Sequence, residues 1–183
     1  TAATLTAAAT TDVNVSGVTG AVAVDGGKNI NVTVAATGTT TTIGAATGAT
    51  GTVTVTDDAQ AGSAIKVDGG TDVTITASGN TGGTIDVGQA PVAASPIPTG
   101  TVKVSSTGSY TDGGNTTMGA IKIDGGSTVT VTQSAGITDA QKTAALTDTS
   151  NSKVTQGAIG VTGGNSATTV NVKIFFNSNI REI

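Results

Sequence analysis

Carboxylates are the only side chains in this sequence with a realistic claim on catalysis or metal binding. Asp and Glu total 12, and His, Cys and Trp are absent. With neither imidazole nor thiol there is no histidine base, no thiol nucleophile, no disulfide and no ordinary zinc, haem or iron–sulfur site. Asp25, Asp68 and Asp124 hold equivalent places before Gly-Gly, and Thr162 stands there in a fourth copy of the phrase. D-G-G-T-D adds Asp72 to Asp68, with Asp57–Asp58 on the strand before. Asp and Gly in this order suit tight turns: the carboxylate accepts from nearby backbone N–H groups and Gly supplies positive φ. Calcium is the competing chemistry, because it prefers clustered carboxylate and carbonyl oxygens. No loop has the acidic density of an EF-hand or the Gly-Gly-x-Gly-x-Asp repeat of calcium-binding β-rolls. Turn chemistry is therefore the expected role of Gly26, Gly27, Gly69, Gly70, Gly125, Gly126, Gly163 and Gly164. Calcium at Asp25, Asp68, Asp72 and Asp124 is kept as the alternative, and no other cofactor is expected.

Catalysis is not expected. Sugar hydrolysis needs two acids in a cleft, and sugar sites normally add aromatic platforms. Here the only Tyr is Tyr110, in a Gly-rich stretch, and the many Ser residues have no His partner.

The elements that carry these residues are repeats. The phrase reads A-V-A-V-D-G-G-K-N-I-N-V-T-V from Ala21 and A-I-K-V-D-G-G-T-D-V-T-I-T from Ala64. It returns as A-I-K-I-D-G-G-S-T-V-T-V-T from Ala120 and A-I-G-V-T-G-G-N-S-A-T-T-V-N-V from Ala158. The copies start 43, 56 and 38 residues apart, so the unit is constant and its insertions vary. A strand-like phrase precedes each copy, at Val13, Thr52, Thr101 and Lys153, and another follows some, at Thr84 and more weakly at Thr42. Such repetition is the mark of stacked supersecondary units sharing one core.

Apolar and polar residues alternate through every phrase, the pattern of half-buried strands. Ile65, Val67, Val73 and Ile75 share one face; Lys66, Thr74 and Thr76 take the other. A two-residue Gly69–Gly70 hairpin would mix these faces. A three-residue loop over 68–70 would preserve them by pairing Ile65 with Val73, and so would a tight corner between two sides of a β-solenoid. The expected fold is all-β, a solenoid-like stack of strands, with tandem antiparallel sandwich modules as the alternative.

Residues 1–88 form one half with two D-G-G units, and 101–183 a second half with two Gly-Gly units. Between them, 89–100 holds all three prolines and reads as a surface excursion or linker. Thr138–Asp148 is the one credible helix, with Thr138 as its cap. From Val172 the pattern breaks, and that tail is expected to supply a capping strand. A first residue other than Met suggests a processed product or an excised fragment.

A net charge of −4 argues against nucleic acid or an anionic membrane as partner, and no apolar run approaches the roughly 20 residues of a membrane span. The Thr-x-Thr phrases 54/56, 74/76 and 130/132 raise a further possibility, a hydroxyl ladder of the ice-binding kind. The simpler reading is that β-branched polar residues fill the solvent side of exposed strands.

The four copies of the Ala-Ile-Lys-Val-Asp-Gly-Gly type, over roughly residues 10–172, resemble the repeat regions of bacterial β-strand-repeat surface proteins, found among giant adhesins and surface-layer proteins. The resemblance implies an extracellular, self-associating structural role at the bacterial cell surface. Expected partners are further copies of the chain, as homo-oligomer or polymer, and a cell-surface polysaccharide.

Overall fold

In the computed structural model, residues 1–89, 97–109, 114–136, 153–162 and 169–175 are described. They form a parallel β-solenoid. One seven-stranded sheet, sheet I, contains in spatial order β1 (Ala3–Ala7), β3 (Val22–Gly26), β5 (Thr41–Ile43), β7 (Ile65–Val67), β9 (Ile85–Val87), β12 (Ile121–Asp124) and β15 (Ile159–Thr162). Sheet II, also seven-stranded, contains β2 (Val13–Val18), β4 (Ile30–Val34), β6 (Val53–Asp57), β8 (Val73–Asn80), β10 (Thr101–Gly108), β13 (Thr128–Ser134) and β16 (Thr169–Phe175). The chain passes from one sheet to the other and back, one strand of each per coil. A small sheet III pairs β11 (Asn115–Thr117) with β14 (Lys153–Thr155).

Every pairing between these strands is parallel. Ile65 therefore lies beside Thr41 and Ile85 on neighbouring coils, not opposite Val73. That decides the role of Asp-Gly-Gly: it is a solenoid corner, and the hairpin and sandwich alternatives fall. The corner bends because Gly69 and Gly70 take φ of 86° and 91°, a region that side chains with a Cβ enter only with strain.

The in-register series Val22, Thr41, Ile65, Ile85, Ile121 and Ile159 advances by 19, 24, 20, 36 and 38 residues. The first two steps together make the 43-residue repeat and the next two the 56-residue repeat, so each of those repeats is two coils. The weak phrases at Thr42 and Thr84 are the sheet I strands of the intervening coils.

Alternation places Val and Ile inward from both sheets. Ile65, Val67, Val73 and Ile75 are all buried, as their shared parity requires, and columns of identical or similar residues stack along the axis. Val73, for instance, sits between Val53 and Val102. A slip of one residue would turn the whole column out to water, so burial fixes the register. The described residues contain no helix, and none is long and apolar enough to cross a membrane. The expected helix over 138–148 lies outside them. At the other end of the chain the pattern outlasts Val172: β16 pairs with β13 in register from Thr169 to Phe175, as the edge strand of sheet II.

Candidate functional site

The Asp residues of the corners share one column of sheet I. It runs Thr6, Asp25, Gly44, Asp68, Gly88, Asp124, Thr162. Asp25, Asp68 and Asp124 thus stand on alternate coils, about 9.5 Å apart at the usual strand spacing. On the coils between them the column offers glycine, Gly44 and Gly88, and no carboxylate. Glycine separates them for a backbone reason: a Cβ on Gly44 would lie 2.2 Å from the carbonyl oxygen of Asp68, and one on Gly88 2.2 Å from that of Asp124.

Asp25 binds backbone instead: its Oδ1 accepts from the Ala46 N–H at 2.8 Å, on the next coil. Asp68 is buried. Asp72, exposed at the entry to β8, accepts at Oδ1 from the Thr101 N–H at 2.6 Å. Asp57 and Asp58 do not join it, because Asp57 closes β6 beside Ala77. Asp72 belongs to a series of staples that sequence reasoning missed. Asp12 Oδ1 accepts from Asn29 Nδ2 at 2.8 Å, and Asn29 Oδ1 accepts from the Thr52 N–H at 3.0 Å. In two of these staples the receiving coil presents glycine where the acceptor enters: a Cβ on Gly51 would lie 2.4 Å from Asn29 Oδ1, and one on Gly100 2.5 Å from Asp72 Oδ1. The signal was present as Gly-Thr-Val in one copy and Asn-Ile or Asp-Val in the copy before. Among the described residues no three acidic groups cluster as a metal site would require. Gly163 and Gly164 lie outside the described residues, as does Tyr110.

The outer face of sheet II is a wall of hydroxyls and amides. Thr54 and Thr56 stack directly on Thr74 and Thr76; Lys103 and Ser105 come next, then Thr130 and Thr132. At the other end Asn31 Nδ2 reaches Asn14 Oδ1 at 3.5 Å, beside a shallow groove whose lining includes Asp12, Asn29 and Thr52. Lys66 and Lys122 project from sheet I, one on each side of Asp86, so opposite charges neighbour each other across strands.

Polar groups also enter the interior at the far end of sheet II. The third inward column reads Val34, Asp57, Ala77, Ser106, Gln133, Ile174. Beside it, buried Asn80 ties several coils together. Its Nδ2 donates to Gln60 Oε1 at 2.8 Å and to the Gly83 carbonyl at 2.7 Å, and its Oδ1 accepts from the Gly119 N–H at 3.0 Å. Gln133 Nε2 donates to the same Gly119 residue's carbonyl at 3.2 Å. Asp57 is less well served. Oδ1 accepts from the Ala59 N–H at 3.1 Å, but Oδ2 is buried with no partner. Desolvation pushes this carboxyl above its ordinary 3.8, the Asp58 charge adds to the rise, and the Ala59 hydrogen bond opposes it.

The two ends of the stack differ from its middle. Val129 and Val131 of β13 are fully buried, whereas Val170, Val172 and Ile174 of β16 are 46%, 44% and 43% exposed. At the opposite end Leu5 of β1 is 37% exposed. No protein-family model, curated protein or solved structure matches this chain at a significant level.

Proposed function

We propose that this chain is a structural subunit of an extracellular, self-associating assembly of the surface-layer, adhesin or filament kind, and not an enzyme. One observation carries the reading: three carboxylates and two amides are engaged in holding coil to coil. Asp12, Asp25, Asn29, Asp72 and Asn80 each hydrogen-bond to a neighbouring coil. Stiffness along the axis is what such bonds provide. Length is another matter, because the seven described coils at strand spacing extend only roughly 30 Å. Spanning or coating a greater distance needs many such stacks. Sedimentation across a concentration series tests this: the mass should grow with concentration, and a monomer at every concentration would overturn it.

A second reading rests on the Thr wall of sheet II, where β6 lays Thr54 and Thr56 on Thr74 and Thr76 of β8. Such an array of methyls and hydroxyls suits an ordered hydroxylated surface, either ice or a cell-surface polysaccharide. A thermal-hysteresis assay and a pull-down on insoluble polysaccharide separate the two. Lys substitutions at Thr54 and Thr74 should abolish whichever activity is present.

A further inference from the structure

We propose that the interior of the solenoid binds an ordered water molecule over Ala77, held by Asp57, Gln60 and Ser106. This site does not depend on self-association.

Among the described residues, three buried side-chain atoms have no hydrogen-bond partner within the chain: Thr41 Oγ1, Asp57 Oδ2 and Gln133 Oε1. Their surroundings differ. Thr41 has apolar side chains on both adjacent strands, Val22 and Ile65. Asp57 lies in the third inward column of sheet II, where Ala77 and then Ser106 follow it. These three residues are 0%, 1% and 0% exposed. Ala77 contributes a single methyl group, whereas Asp57 and Ser106, on the strands to either side, carry polar groups beyond Cβ. Those two strands stand about 9.5 Å apart at twice the usual spacing, so the column is filled least at the level of Ala77.

The polar groups around that level are placed to receive a water. Asn80, on the same strand as Ala77, donates through Nδ2 to Gln60 Oε1 at 2.8 Å and to Ser106 Oγ at 3.3 Å. Those contacts gather groups from three successive coils. Accepting from Asn80 leaves Ser106 its O–H to donate and leaves Gln60 Oε1 a second lone pair. The Ser106 O–H is not spent on Gln133, its neighbour on the next strand, whose Oε1 is itself unpartnered. Asp57 Oδ1 already accepts from the Ala59 N–H, so Oδ2 is the oxygen that remains. A water accepting from Ser106 and donating to Asp57 Oδ2 and Gln60 Oε1 would have three partners, about the usual number for buried water. Water also offers what no fixed side chain does here: it donates to a carboxylate and accepts from a carboxylic acid. It therefore serves Asp57 in both protonation states.

Ala77 is the position at which to test the site. Ala77→Ser puts a hydroxyl in the place of the water, and Ala77→Val fills the same space with methyl groups. The Asp57 carboxyl is followed by carbon-13 NMR through a pH titration of each folded protein, with Asp58, the charged group acting on it, assigned in the same spectra. The Asp57 midpoint should stay within about half a pH unit of wild type in Ala77→Ser. In Ala77→Val it should rise by about one pH unit or more, because methyls expel the water and leave the carboxylate without a donor. Should Ala77→Val not fold, Ser106→Ala removes one partner of the water and should move the midpoint in the same direction. A midpoint equal to wild type in Ala77→Val, or in Ser106→Ala where only that variant folds, means a dry site and overturns the proposal. Repeating the wild-type titration with choline chloride in place of sodium chloride, at constant ionic strength, identifies the ligand. An unmoved midpoint is expected for water; a rise would assign the site to a cation and overturn the proposal.

Discussion

The coils up to β9 and those from β10 onward solve the same stacking problem with different lengths of chain. Early coils take 19 to 24 residues between equivalent sheet I positions, and the later ones 36 and 38. Yet Ile85 and Ile121 are adjacent in register and both fully buried, as are Ile65 and Ile85. The added residues enter between strands, in part as β11 and β14, and leave the columns intact. What the fold conserves from coil to coil is the inward column and its corner, and connection length is free to vary. This agrees with the slow growth of loop-closure entropy with length.

The strongest way to break that comparison is at the corners. Gly44→Val in the short coils and Gly88→Val at the passage to a long one both force a side chain into positive φ, at 79° and 65°, and onto a carbonyl of the next coil. Each should cost about 3–5 kcal/mol in urea unfolding, from backbone strain plus overpacking. A much smaller loss at Gly88 would show that the long coils tolerate what the short ones do not.

Asp57 offers a second test, since it places a carboxyl in the core of a short coil. With its folded-state value raised, the native chain holds this proton more tightly than the unfolded chain does. That contribution to stability is fully present below about pH 4 and is lost as pH rises through the raised value. Urea midpoints between about pH 3 and pH 8 should reveal this fall, and Asp57→Asn should flatten it. An unchanged pH profile in the variant would assign the dependence to other groups.

Thr41 should yield a gain. It occupies an inward position of β5 with its hydroxyl buried and unpartnered, between Val22 and Ile65. Thr41→Val keeps the shape and removes the orphan, so thermal unfolding should show about 1 kcal/mol of added stability. The smallest effect expected is none: a chelator should leave the melting midpoint unchanged, because Asp25 and Asp72 accept from backbone N–H groups and no three acidic groups cluster among the described residues.

Much of this was legible in the residues. Period-2 parity identified the inward face, and it extends correctly to the polar members of the third column, since Asp57 continues Val53 and Val55 just as Gln133 continues Val129 and Val131. The choice between corner and hairpin was not legible, because both keep Ile65 and Val73 on one side; only pairing across coils separates them. Coil count was hidden for a related reason. Thr41–Ile43 is three residues with a hydroxyl in a core position, too short to stand out as a strand. The staples were hard to read because each joins an acceptor such as Asp72 to a donor, the Thr101 N–H, a full coil later.

The alternating column of sheet I has an evolutionary corollary. Were one coil copied alone, one Asp of this column would land directly beside another, setting two carboxylates side by side on adjacent strands. On the coil beside Asp124 the column carries threonine, Thr162, in place of an acid. Lengthening by gene duplication is thus compatible with this geometry in even steps, two turns at a time, and odd steps demand a compensating substitution at the seam.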